Sequence, residues 1–323
     1  MSLLAWAGSG LAWLGRQGTR AIAALVVLGI VAPPLGALLK PWVGEAVFLI
    51  MCTAFLRLEP DRLRGYLRRP LLVLLATAWT MLAVPLGCGL ACGALGLPLS
   101  GPELYLALML NALTPPMMAT PALAALMGLD ATLVLITMVA SSALVPFTAP
   151  LFAHWFLGAG LAISPLALGG KLLLILGGSA LVGIGLRRLA GAQAVARQRE
   201  KIDGFNVLVL FVFVAAVMEK VAASFWAAPW LSLGLTALVF GVFFALLAVT
   251  GLLFAWAGRE RALALGLMAA QRNLGLMLAA IGGALPGLTW LYIGLAQFPI
   301  YLSPHMLMPL VRRLAARRED ASD

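Results

Sequence analysis

The sequence predicts an all-α integral membrane protein: ten transmembrane helices arranged as two inverted five-helix repeats, with interrupted helices four and nine crossing near the bilayer midplane. Three observations predict it. Hydrophobic residues fill 63% of the 323 positions and charged residues only 11%, a balance that one water-facing surface cannot accommodate. The basic residues gather in alternate connections between apolar segments. Two of those segments, fourth in each half, are broken at mid-length by residues that a continuous helix in lipid does not carry.

A span needs roughly 20 apolar residues. Division at charged or Pro/Gly-rich breaks gives ten candidates, near residues 21–39, 42–57, 71–95, 103–127, 130–156, 166–187, 204–222, 231–257, 261–285 and 288–311. The formal charge of +10 is topological. Arg16 and Arg20 precede the first span. Arg57, Arg62, Arg64, Arg68 and Arg69 lie between spans two and three, and Arg187, Arg188, Arg197, Arg199 and Lys201 between six and seven. Arg259 and Arg261 separate eight from nine, and Arg312, Arg313, Arg317 and Arg318 follow the last. With ten spans all of these fall on one side, against Lys40, Lys171 and Lys220 near the other. The positive-inside rule then puts both termini in the cytoplasm of a bacterial-type inner membrane and leaves no role for nucleic acid as a partner.

The N-terminal MSLLAWAGSGLAWLG has no basic residue ahead of its apolar part and no small-residue cleavage site before Arg16. It reads as a short interfacial helix and not as a cleaved signal. Cys88 and Cys92 share a helix face at i, i+4, but no nearby His, Asp or Glu completes a metal site, so they read as small packing residues. The chain therefore divides into a cytoplasmic or interfacial segment (1–20), a first repeat (21–157), a second repeat (166–311) and a cytoplasmic tail (312–323). Five spans in each half, an odd number, require the second half to be inserted upside down if it shares the fold of the first.

Span four reads ELYLALMLNALTPPMMATPALAAL. Pro115 and Pro116 remove two backbone donors and clash with the preceding turn, at ~3 kcal/mol or more apiece in a regular helix. Two half-helices are expected, with carbonyls freed around Asn111 and Ala112 and a proline starting the second half. Span nine carries Gln271, Arg272 and Asn273 at its middle. Inverted repeats set such breaks opposite one another, where half-helix N-termini favour anions and freed carbonyls favour cations. An arginine at a helix centre costs about 2.5 to 3.5 kcal/mol on insertion scales. Arg272 therefore either lines a binding site or is paired structurally, with an acidic group or with helix-end carbonyls.

In span five, Thr137 and Ser141 are one turn apart and face the same way. Their hydroxyls either ligate a cation or substrate or bond their own helix carbonyls at i−4. Gln297, Ser303 and His305 on span ten are similar cases, Gln297 being the deepest. Glu45, Glu103 and Glu219 map to the external interface. No signature of an enzyme occurs: no H-E-x-x-H, no G-x-S-x-G, no P-loop.

These features resemble the bile acid:sodium symporter family, within the wider group that includes arsenite and auxin carriers. Three stretches carry the resemblance: AAQRNLGL (269–276) in span nine, with Asn273, Gly275 and Leu276 in register; QFPIYLSPHM in span ten, at Pro299, Ser303 and His305; and MGLDATLVLITMVASS leading through span five. The resemblance implies that spans one, two, six and seven form a panel moving against a core of the other six. It also implies that Thr137 and Ser141 occupy sodium-ligating positions. Two departures matter: the family's Ser-Asn pair is here Thr114-Pro115-Pro116, and its sodium-ligating Glu falls at Leu267 or Met268.

The sequence thus points to a secondary transporter, not an enzyme, that moves a small or amphipathic organic anion by alternating access. Arg272 attracts the anion, Gln271 and Asn273 hydrogen-bond it, and Asn111, Thr114, Pro115 and Pro116 supply the opposing half of the site. No cofactor is required. Sodium is a candidate coupling ion only through Thr137, Ser141 and Gln297, and binding is expected to depend little on it. The rival readings are an uncoupled or proton-coupled exporter of a hydrophobic weak acid and a non-transporting membrane sensor module. The bilayer is the one macroscopic partner expected, and the oligomeric state is left open.

Overall fold

In lipid every backbone N–H must be satisfied within its own segment, so apolar stretches of this length fold as helices. The computed structural model describes residues 8–17, 28, 33–58, 70–282 and 285–319 of the chain. Among them, six stretches are long and apolar enough to cross a membrane: Pro34–Arg57, Pro70–Ala94, Ala131–Leu157, Pro165–Ala190, Arg199–Ala227 and Pro229–Leu253. Expected spans four and nine are absent from this set for a physical reason. Each is broken into pieces too short to cross alone: α5 (Pro102–Leu113) and α6 (Thr120–Leu126), then α11 (Arg259–Ala270) and α12 (Leu274–Ile281). Expected span ten falls within α13 (Gly287–Glu319), which is also not among the six. Most of span one and the basic loop 59–69 lie outside the described residues.

The chain forms two compact units. The first comprises Met1–Leu58, Gly170–Ser232 and Gly275–Gly294. It carries the residues of expected spans one, two, six and seven, together with 275–294, which the resemblance would assign to the core. Its axis is α9 (Arg199–Ala227). Helix α1 (residues 8–17) lies against the start of α9, where a Cβ on Gly204 would meet the Leu11 carbonyl and Arg16 pairs with Glu200 at 2.8 Å. Further along α9, a Cβ on Gly36 of α2 (Pro33–Leu39) would meet the Ala215 carbonyl, and Lys40 pairs with Glu219 at 2.9 Å. In α3 (Val43–Arg57) the order reverses: Thr53 Oγ1 lies 2.7 Å from Asn206 Oδ1, and Arg57 pairs with Asp203 at 2.7 Å. The chain therefore travels along α9 and returns, turning at the 3₁₀ segment Lys40–Trp42, where Pro41 supplies the fixed φ, so that the apolar stretch Pro34–Arg57 is two legs joined by a turn and not one straight crossing. Helix α8 (Pro165–Ala190) accompanies α3 in the same direction, with Gly178 against Phe48 and Arg187 Nη1 donating to the Leu56 carbonyl at 3.1 Å.

The second unit comprises Glu59–Gly169, Leu233–Leu274 and Leu295–Asp323. Its core joins Leu72, Val73 and Ala76 of α4 (Pro70–Ala94), Leu133 and Val134 of α7 (Ala131–Phe152), and Leu265, Leu267 and Met268 of α11. Asp130 caps α7 by accepting from Leu133 N at 3.0 Å and pairs with Arg261 of α11 at 3.5 Å, so both helices start at the same end of the unit. Helix α10 (Pro229–Leu253) approaches α11 so closely that a Cβ on Gly266 would lie 2.6 Å from the Leu247 carbonyl oxygen. Helix α4 is irregular. Over Trp79–Ala83 it widens to a π turn, in which Val84 N donates to the Trp79 carbonyl. That register would have residue 85 donate to Thr80, but residue 85 is proline and has no N–H. The Thr80 carbonyl is left for a partner outside the helix.

Candidate functional site

The site is built from carbonyls that prolines set free. Pro115 cannot donate to Asn111, and the Thr114 hydroxyl donates to that carbonyl instead, at 2.9 Å. Helix α5 ends there, with Thr114 extended at φ −72°, ψ 148°, as the residue before a proline tends to be. At the other break α11 ends at Gln271, which leaves the helical region at φ −79°, ψ 88°. The two broken segments then pair as an antiparallel bridge centred on Pro116 and Arg272. Met117 N donates to the Gln271 carbonyl at 2.8 Å, and Asn273 N to the Pro115 carbonyl at 2.9 Å. The breaks thereby satisfy each other's backbone, which buried non-helical segments require.

Arg272 sits at the centre, 1% exposed. Its Nη1 donates to the Thr114 carbonyl at 2.8 Å and, more weakly, to the Thr80 carbonyl at 3.5 Å. Both acceptors are carbonyls that neighbouring prolines have taken out of the helical ladder. Of the two structural pairings open to Arg272, the helix-end carbonyls are the one realised; among the described residues no carboxylate pairs with it. Among the described residues its Nε and Nη2 have no hydrogen-bond partner. They form the side-on edge of the guanidinium, the edge that grips a carboxylate with two parallel bonds.

Gln271 is fully buried: Nε2 donates to the Ile300 carbonyl at 3.0 Å and to Ser303 Oγ at 2.6 Å, while Oε1 has no partner among the described residues. Asn111, Thr114 and Asn273 are buried at the crossing, and Gln297 is buried on α13. Thr137 and Ser141 are fully buried and their hydroxyls have no partner among the described residues, so the bond to an i−4 carbonyl that would explain them structurally is not made. Helix α7, which carries both residues, packs against α11. His305 is exposed. Leu267 and Met268, where the resemblance would place a carboxylate, are both fully buried in the apolar core.

Sequence reasoning missed Thr80, whose carbonyl helps to hold the guanidinium, and Thr77, whose buried hydroxyl is unpartnered. The signal for Thr80 was Pro85, five residues on. Comparison with known families adds one finding: the description "Sodium Bile acid symporter family" matches over residues 46–228, more than half of the chain. The matched stretch includes the first break and α7, and ends before Gln271–Asn273. No curated protein matches the chain.

Proposed function

The chain belongs to the sodium bile acid symporter family, a family of membrane transporters, and from that premise we propose that it is a secondary transporter of a small or amphipathic organic anion. The chain crosses the membrane ten times, as two inverted repeats with both termini in the cytoplasm, and works by alternating access without covalent chemistry. Grouping of the basic residues in alternate connections and the two broken helices support this topology. One observation carries the anion reading: Arg272 is buried at a crossing of two broken helices, anchored through Nη1, with its carboxylate-gripping edge unpartnered. The anchored half positions the charge and the other half receives the substrate's carboxylate or sulfonate. Asn273, Thr114 and the Pro115–Pro116 break shape the surrounding wall.

The same geometry argues for weak dependence on sodium. A cation at a helix break is held by freed carbonyls and a carboxylate that offsets its dehydration. Here the carbonyls of Thr114 and Thr80 bind a guanidinium, and apolar Leu267 and Met268 stand where the family's carboxylate would be. The fixed charge would repel a nearby sodium by an amount on the order of a few kcal/mol at an effective dielectric near 20. Titration calorimetry of cholate, as an amphipathic carboxylate probe, in sodium and in choline buffers of equal ionic strength tests this reading. Equal affinities are expected; a tenfold gain specific to sodium, about 1.4 kcal/mol of coupling, would restore a sodium symporter.

A further inference from the structure

Several buried donors of the second unit have no acceptor among the described residues. Nε and Nη2 of Arg272 are unpartnered, and so are the hydroxyls of Thr137 and Ser141, which project from one face of α7 at i, i+4. Both hydroxyls lie on a helix packed against α11, the half-helix that ends just before Arg272. A guanidinium is donor-only and permanently charged, and hydroxyls can rotate to donate. Water could satisfy the bonds but would leave the charge; a cation would be repelled. One positive charge in a sealed, low-dielectric surrounding calls for one negative charge, and hydroxyls added to an N–H fork suit a compact acceptor without directional demands.

We propose that, between substrates, the crossover holds a monovalent inorganic anion of chloride size on the Nε–Nη2 edge of Arg272, with Ser141 and Thr137 as further donors. The organic anion displaces it, so that substrate and chloride compete for a single charge. The competition rests on the reading of Arg272 as the substrate site; the chloride site stands on the unpartnered donors alone.

The full chain, purified in detergent, is unfolded thermally while chloride replaces sulfate at constant ionic strength. The wild-type midpoint should rise with chloride and saturate, and bromide should substitute. Arg272→Gln should remove the halide-specific rise, which separates a bound ion from general salt effects. The double variant Thr137→Val/Ser141→Ala keeps the charge and carries the test if Arg272→Gln does not fold; it should shift the saturation point at least fivefold. Identical curves in chloride and sulfate, or a halide effect unchanged in both variants, would overturn the proposal. Cholate titrated into the same preparation separates the two readings. A cholate dissociation constant that rises in proportion to chloride supports a shared charge, and one indifferent to chloride refutes it. Chloride binding without cholate binding would refute the organic-anion reading and leave the chloride site standing.

Discussion

Replacement of Arg272 by methionine should separate binding from stability. The side chain forms one good charge-assisted bond, Nη1 to the Thr114 carbonyl at 2.8 Å, and one marginal bond at 3.5 Å. A bond of the first kind contributes about 1.5–3 kcal/mol net. Against it stands the desolvation of a guanidinium that is 1% exposed, which costs several kcal/mol after relaxation. Methionine restores much of the volume and carries no charge, so the two changes offset and stability should move by no more than about 2 kcal/mol in either direction. Binding behaves differently, because the Nε and Nη2 bonds to an anion have no substitute in methionine. Two charge-assisted bonds of ~1.5–3 kcal/mol each correspond to a loss of roughly 10² to 10⁴ in affinity. Lysine offers one point of attachment and should lose about tenfold to a hundredfold. Calorimetric titration of cholate, beside thermal unfolding of the same samples, measures both quantities. A folded Arg272→Met protein that binds cholate within threefold of wild type would refute the assignment and reduce Arg272 to a tie between carbonyls.

Other consequences concern the scaffold. Gly266→Ala should lower the unfolding midpoint despite alanine's better helix propensity, because the added carbon meets the Leu247 backbone; an overpacking penalty of about 1–3 kcal/mol is expected. Gly241→Ala, on the facing helix but in open space, is the matched control and should be neutral or stabilising by up to about 1 kcal/mol. Asp130→Ala removes the cap of α7 and the partner of Arg261, and should cost about 1–2 kcal/mol in chemical unfolding. Single cysteines placed at residues 64 and 193 should resist an impermeant thiol reagent applied to intact cells and react after permeabilisation; labelling of both from outside would invert the topology.

The breaks were legible in the sequence because their causes are local. Two adjacent prolines cannot continue a helix, and Gln271–Asn273 cannot lie in lipid without a partner. Their pairing could only be expected from symmetry; the bridge between Pro116 and Arg272 is a long-range register that no local signal encodes. The direction of the guanidinium was less accessible still. Its second acceptor, the Thr80 carbonyl, exists because a π turn diverts Val84 N to Trp79 and Pro85 has no hydrogen to give. Proline marked that site, but the shift in register that exposes the carbonyl begins at Trp79, six residues before it. Gln271 was legible as a polar residue at the break, but the partners of its amide nitrogen, the Ile300 carbonyl and the Ser303 hydroxyl, lie some thirty residues on and follow from the backbone turn there.

Counterflow in proteoliposomes tests the central claim most directly. Vesicles holding the purified protein are loaded with unlabelled cholate and diluted into sodium-free choline medium containing labelled cholate. Label should accumulate transiently above the level in protein-free vesicles, without sodium, and fail to do so with Arg272→Met. Accumulation that appears only when sodium is restored, or that persists undiminished in Arg272→Met, would contradict it.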